Sequence, residues 1–379
     1  MKLLLKLFPF LLLSIACKNN TKPTTLSNNK LETEIKPTYA KGFSVFKGKN
    51  YTKVAIYTPW PSAKDTLTHY LFSKNETIPK GLKNESIIKT PINKIISCST
   101  VDIPLLEAIH MEHTLIGFPE HKYISSNKTR KLIDNDSVKD IGSLQHLNTE
   151  MILDLNPDLI VGFSSNSDNK TFNLLERSGI QTLMNGSWLE THPLGRAEWI
   201  KVYGLLFNKE KEAETYFNNI AQSYNEDLNL VKNRTNKPRV LSGNMYKDVW
   251  YVPGGNSYAA KLIADAGGDY FWKENAETGS LAFSFESVYE KAEKASVWIG
   301  GGNYSSYKEL INRENKYNLF DVVKQKNVYS KDLKKGQTGG ILYYEQGSLH
   351  ADWILKDLIK IFHPNLVPNY NMHFYQKLN

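Results

Sequence analysis

The feature that most limits what this chain can fold into is one long amphipathic stretch, KEAETYFNNIAQSYNEDLNLVKNR, lying past the middle of the sequence. Phe217, Ile220, Ala221, Tyr224, Leu228 and Val231 recur in it at three- and four-residue spacing, so they share one helical face. The spacing predicts a helix over 208–233, about 35 to 40 Å long at 1.5 Å per residue. A helix of that length bridges two lobes. The chain on either side of it alternates short apolar runs with helical patterns, which points to parallel α/β construction rather than to a bundle or a β-sandwich.

Before the helix the alternation runs through INKIISCS, IPLLEAIH, HTLIGF, LNTEMILDLN, DLIVGF, NLLERSG and IQTLMN. After Pro238 it resumes with RVLSGNM, SYAAKLIADAGG, FESVYEKA, SVWIGG, NVYS and SLHADWILKDLIKIF. The fold class expected is therefore α/β, with one α/β series on each side of a helix that can bridge two lobes. The corresponding boundaries are an N-terminal lobe over 43–207, the joining helix over 208–233 and a C-terminal lobe over 234–379. From Phe43 onward runs such as KVAIYTP alternate with turn residues in a strand-like way, so globular structure begins there. One detail repeats between the halves. Glu150 opens a helical pattern after Asn148 and Thr149 and lies eleven residues before Val161; Glu286 does so after Ser284 and lies eleven residues before Val297. An acidic residue just after a polar cap is favourable at any helix start, so neither glutamate alone implies function.

The first residues, MKLLLKLFPFLLLSIAC, place Lys2 and Lys6 ahead of an apolar run too short to span a bilayer, which reads as a targeting peptide. Cys17 follows the small residues Ser14 and Ala16 and precedes the polar run KNNTKPTTLSNNKLETE. Residues 1–17 thus resemble a bacterial lipoprotein signal with Cys17 as the lipidated residue, and 18–42 read as a flexible tether. Ser14 stands where the usual lipobox has Leu, and an ordinary cleaved secretory peptide is the alternative. Cys98 is the one other cysteine, so no structural disulfide is expected. The net charge of +8 comes from scattered lysines; it is read as solubility and attraction to anionic lipid surfaces, with no nucleic-acid partner.

TEMILDLNPDLIVGF resembles the Glu, helix, strand segment of the helical-backbone class of ABC-importer binding proteins, which includes vitamin B12-binding and ferric-siderophore-binding proteins. EWIKVYGLLFNKEKEAETY resembles that family's entry into the interlobe helix, GGNSYAAKLIADAGGDYF its C-lobe loop and helix, and SFESVYEKAEKASVWIGG the second Glu unit. HPLGRAEW and DLIKIFHP are similar to a Bacteroidetes-type subgroup, and residues 43–91 resemble that subgroup's extra strand-rich region on the first lobe. The resemblance implies two lobes, each a mostly parallel sheet flanked by helices, joined by one long rigid helix (the class III periplasmic-binding-protein fold), with a ligand in the cleft between lobes and modest closure. It further implies a monomer in the periplasm, lipid-anchored to the cell membrane, that docks on an ABC permease dimer through one acidic residue per lobe. The positions matching those acids are Glu150 and Glu286.

Ligands of open α/β lobes sit beyond the carboxyl ends of the strands. That rule selects Ser99 and Thr100, Phe118, Ser164 and Ser165, the segment from Gly186 to Trp188, Trp250 and Tyr251, and Tyr304; GILYYEQG adds Tyr343 and Tyr344, one of which should face the cleft. Aromatic residues, 12% of the chain, suit a broad flat ligand, and Arg196 suits a catecholate or carboxylate chelate. Arg196 also has Glu190 and Glu198 near enough in sequence to pair with instead. The expected ligand is an Fe(III)-siderophore, then cobalamin, then haem, with no resident cofactor or metal. His110, His113 and His121 have a spacing that can ligate a metal, but no His or Asp cluster in the second half answers them. Cys98 reads as a buried thiol.

Two other classes compete with a binding protein. An enzyme on the same fold, a chelatase or ferric reductase, finds no GxSxG, GxxxxGK[ST], HExxH or CxxC in the chain. A surface receptor or adhesin without a permease would need neither Glu150 nor Glu286.

Overall fold

The computed structural model describes residues 32–79, 82, 87–300, 302 and 304–379. The expected leader, Cys17 and most of the expected tether lie outside the described residues.

The N-terminal lobe is built on a five-stranded parallel sheet in the spatial order Thr182–Met184, Leu159–Gly162, Ile95–Ser97, Leu115–Phe118, Lys139–Asp140. Its central strands are apolar on both faces, as a sheet covered by helices on each side requires. Alternation sends Ile95, Leu159 and Val161 into one core and Ile96 and Ile160 into the other. The C-terminal lobe repeats the plan in the order Asp269–Tyr270, Arg239–Ser242, Val297–Ile299, Val328–Ser330, Gln376–Lys377, with only the last pair antiparallel. Val161 pairs with Ser97 and Val297 with Val240, so the strand of each Glu, helix, strand unit lies beside its lobe's first strand.

The long helix spans Glu210–Val231 and contacts both lobes. Its buried face carries Ala213, Phe217, Ile220, Tyr224 and Val231, packed against the helices Ile200–Phe207 and Ala351–Phe362. It starts later than the periodicity predicts because Asn208 adopts a left-handed φ of 55°, which separates it from the preceding helix. Gly204 permits the tight corner: a Cβ there would lie 2.7 Å from that of Ala213.

The strand-rich region is a five-stranded sheet, Thr33–Ile35, Phe43–Lys47, Thr52–Ile56, Leu67–Ser73 and Ile87–Thr90, antiparallel except for its last pair. This corrects the expectation of a tether through residue 42. Thr33–Ile35 is already an edge strand, and two distant carboxylates fix the turn that follows. Glu198 accepts from the N–H groups of Thr38, Tyr39 and Ala40 at 2.8, 2.7 and 2.9 Å. Glu190 accepts from Lys41 at 3.0 Å, Gly42 at 2.7 Å and the Trp199 indole at 3.1 Å. Tyr39 and Ala40 pack onto the core, and the backbone N–H groups of 38–42 are satisfied by acids about 150 positions downstream.

A small antiparallel sheet, Asn244–Tyr246, Val249–Pro253 and Ser280–Phe283, adjoins the C-terminal lobe next to the cleft.

Candidate ligand-binding cleft

The loops after the sheet strands of the two lobes face each other across a cleft. Its main chamber has a volume of about 830 Å³. Trp188 and Arg196 line it from the N-terminal lobe; Tyr251, Tyr258, Tyr304 and Lys331 line it from the C-terminal lobe. A side chamber of about 300 Å³ lies between Ser99, Thr100, Phe118 and Ser125 on one lobe and Ile341 and Glu345 on the other. Tyr344 borders both chambers and is 57% exposed, so it stands between them.

Arg196 sits on the helix Pro193–Glu198, which His192 caps by accepting from the Leu194 N–H. Its Nε donates to the Glu190 carbonyl at 3.0 Å and its Nη2 to the Trp188 carbonyl at 2.8 Å. The guanidinium carbon lies 3.8 Å from the centre of the Tyr258 ring. Backbone bonds and stacking therefore hold Arg196 in place. Glu190 and Glu198 are engaged with backbone N–H groups, and among the described residues no carboxylate forms an ion pair with it. Burial pulls its pKa below the ordinary value. Lys331, just beyond the strand Val328–Ser330, holds its Nζ 4.6 Å from the Tyr343 ring centre and likewise has no ion pair among the described residues. Burial draws the Lys331 ammonium down, but Tyr343 and Tyr344 more than offset this and leave it raised. The Trp188 indole N–H is buried without a partner. Two cations and one free donor thus converge on the main chamber, a donor set suited to an anionic ligand.

Of the residues singled out from sequence, Trp188, Arg196, Tyr251, Tyr304 and Tyr344 line the main chamber, and Ser99, Thr100 and Phe118 line the side chamber. Trp250, Ser164 and Tyr343 line neither. Along Val249–Pro253 successive side chains alternate faces, so Tyr251 points to the cleft while Trp250 is sealed among Phe285, Trp298, Tyr317 and Phe320. Ser164 is turned to its own loop and donates to the Asn166 carbonyl; Phe163 reaches the side chamber instead. Tyr343 packs against Phe374 and Tyr375, beneath Lys331. Sequence reasoning missed Tyr258, Lys331 and Glu345. For Lys331 a signal existed, since it directly follows the strand NVYS and obeys the strand-end rule.

Glu150 and Glu286 are both exposed, each in the first turn of its helix, Thr149–Leu155 and Phe285–Ala292. Asn148 and Ser284 cap those helices by accepting from the N–H groups of Met151 and Ser287. The Lys316 Nζ lies 3.3 Å from Glu286. Backbone N–H bonding at the helix start, then Lys316, holds the Glu286 carboxyl below its usual range. Among the described residues no group of three or more His, Cys, Asp or Glu side chains is placed to hold a metal ion. Cys98 is buried, and burial pushes its thiol up.

Comparison with known proteins places the architecture. The chain is 28% identical over 324 residues to the uncharacterized lipoprotein MJ0878 of Methanocaldococcus jannaschii, covering 82% of this chain and 75% of that one. An ABC transporter substrate-binding protein from Listeria monocytogenes superposes with a TM-score of 0.53 at 20% identity, over 72% of this chain and 99% of that one. The periplasmic heme-binding protein HutB of Vibrio cholerae superposes with a TM-score of 0.54 at 18% identity, over 69% and 98% respectively. At those identities the likeness establishes the two-lobed fold. A model of the periplasmic binding protein family matches residues 99–333, more than half of the sequence, and the chain belongs to that family.

Proposed function

We propose that this protein is the extracytoplasmic substrate-binding component of an ABC importer, and that it captures an anionic iron chelate in the interlobe cleft and delivers it to the permease. The observation that carries the reading is the pair of cations, Arg196 and Lys331, facing a chamber of about 830 Å³ with no carboxylate paired to either among the described residues. A cation partly removed from water and lacking a carboxylate beside it is further stabilised by a ligand that supplies negative charge. Tyr251, Tyr258, Tyr304 and Tyr344 add flat apolar area and hydroxyls around them. Among the expected ligands this favours a catecholate or carboxylate siderophore complex over a corrinoid.

Delivery in this reading uses Glu150 and Glu286 as docking acids, one per lobe. Anchoring uses a lipid on Cys17, in keeping with the lipoprotein named among its relatives. The work required is capture and release, with no bond made or broken.

The test is titration of the purified protein with a ferric tris-catecholate, haem and cyanocobalamin, followed by tryptophan fluorescence, since Trp188 lines the chamber. The ferric catecholate should bind tightest, and Arg196→Gln should weaken it about tenfold or more, the equivalent of one lost charge-assisted hydrogen bond. A preference for uncharged cyanocobalamin that survives Arg196→Gln would refute the anionic reading.

A further inference from the structure

The side chamber is chemically unlike the main one. Glu345, on the helix Leu342–Gln346, lines it and is 2% exposed. One carboxylate oxygen, Oε2, accepts from the Ser125 N–H of the opposite lobe at 2.6 Å. The other, Oε1, is buried with no partner. Glu120 also lines the chamber, and Glu107 lies behind it, accepting from the Ser126 and Thr129 hydroxyls. Lysine and arginine are absent from its described lining. The cleft is thus polarised along its length, cationic at Arg196 and Lys331 and acidic at Glu345, with Tyr344 between.

Glu345 is also held rigidly. The segment before its helix lies on the N-terminal lobe, where the Thr338 hydroxyl donates to the Lys122 carbonyl at 2.7 Å. Gly336 and Gly340 sit against Ser125 so closely that a Cβ on either would lie 2.6 or 2.3 Å from it. The free oxygen is therefore pre-placed at the seam between lobes, and an unsatisfied buried acceptor costs stability until a donor reaches it. Burial, reinforced by Glu107, pushes Glu345 up to about 7, and the Ser125 and Ser126 N–H groups partly offset the rise. A cation arriving there favours the ionised form.

We propose that Glu345 Oε1 is the seat for a protonated primary amine carried on the ligand, so that the cleft selects a zwitterionic chelate whose anionic core lies against Arg196 and Lys331. This rests on the anionic-cleft reading above and adds a second, oppositely charged recognition point. A ligand with both charges is bound in one orientation only, since reversing it brings like charges together.

The probes are two synthetic ferric tris-catecholates, one bearing an aminopropyl arm and the other a propyl arm, titrated calorimetrically into the intact purified protein. The aminopropyl chelate should bind about tenfold tighter or better, as one hydrogen bond to a charged group supplies. In Glu345→Gln, which keeps an oxygen for the Ser125 N–H but presents an amide NH₂ in place of Oε1, the ratio of the two affinities should fall to about one. Equal binding of both chelates by the unsubstituted protein overturns this proposal alone. A preference that persists in Glu345→Gln overturns it too, and failure to bind either chelate overturns it together with the anionic-cleft reading.

Discussion

His69 lies within the strand Leu67–Ser73, sealed from solvent, with neither ring nitrogen bonded. Burial lowers its pKa from 6.5 to about 4, so the fold tolerates only the neutral ring. A depressed base contributes stability that is present above pH 6.5 and lost as pH falls towards 4; here the full difference approaches about 3 kcal/mol. His350, lowered to about 3, has the same sign, whereas Asp102 and Asp352, each raised to about 6, are most favourable to the fold at low pH. The informative quantity is therefore a difference: between pH 6.5 and 4.5 the melting temperature of His69→Leu should fall less steeply than that of the unsubstituted protein. Parallel curves would show that His69 is protonated in the fold. At this same scale Trp250→Ala should cost about 3 to 5 kcal/mol in urea unfolding, because it empties the centre of the aromatic cluster, while leaving chelate affinity unchanged. The sequence placed both Trp250 and Tyr251 near the cleft because a strand end gives position and leaves the face open. Only the pairing of Trp250 with Phe283, a contact between residues 33 apart in sequence, decides which of the two turns inward.

The elements most legible in sequence are those whose apolar spacing is internal to them. The long helix and both parallel sheets follow from periodicity and apolar runs within single segments. The turn at 38–42 does not, since its order is imposed from outside by Glu190 and Glu198. Glu198 is fully buried, and besides three backbone N–H groups it holds the Lys201 Nζ at 2.9 Å. Glu198→Ala would leave those N–H groups without an acceptor and Lys201 without its charge partner, at a cost of about 3 kcal/mol after partial relief by water. The damage should be local as well as global. Hydrogen exchange should accelerate first at Thr38, Tyr39 and Ala40 and along the edge strand Thr33–Ile35, ahead of the parallel sheet. Uniform acceleration across the N-terminal lobe would mean that this turn is integral to the core rather than clamped onto it.

At the scale of the whole molecule the repeated Glu, helix, strand unit was the most informative pattern in the sequence, because it survives as the same position in both sheets. The charges of the cleft were less legible: Arg196 comes from one lobe and Lys331 and Glu345 from the other, more than 130 positions downstream, and they share a cleft only when the lobes meet. The repeat carries a further expectation about the permease. Each exposed acid alone gives an ion pair worth at most about 1 kcal/mol. In the proposed docking Glu286 would in addition exchange Lys316 for a permease cation, a small loss because that pair is itself exposed. In the proposed docking, two such contacts on one body would act bivalently, so that the second would form at high effective concentration and set the orientation of the cleft over the translocation path. Glu150→Gln and Glu286→Gln should each lower affinity for the permease about fivefold. The double variant should lose more than their product in transport, with chelate binding intact. Transport measured in reconstituted vesicles separates the alternatives, because a receptor that works without a permease would be indifferent to both substitutions. If the double variant delivers chelate as well as the unsubstituted protein, the two helix starts do not engage the membrane partner.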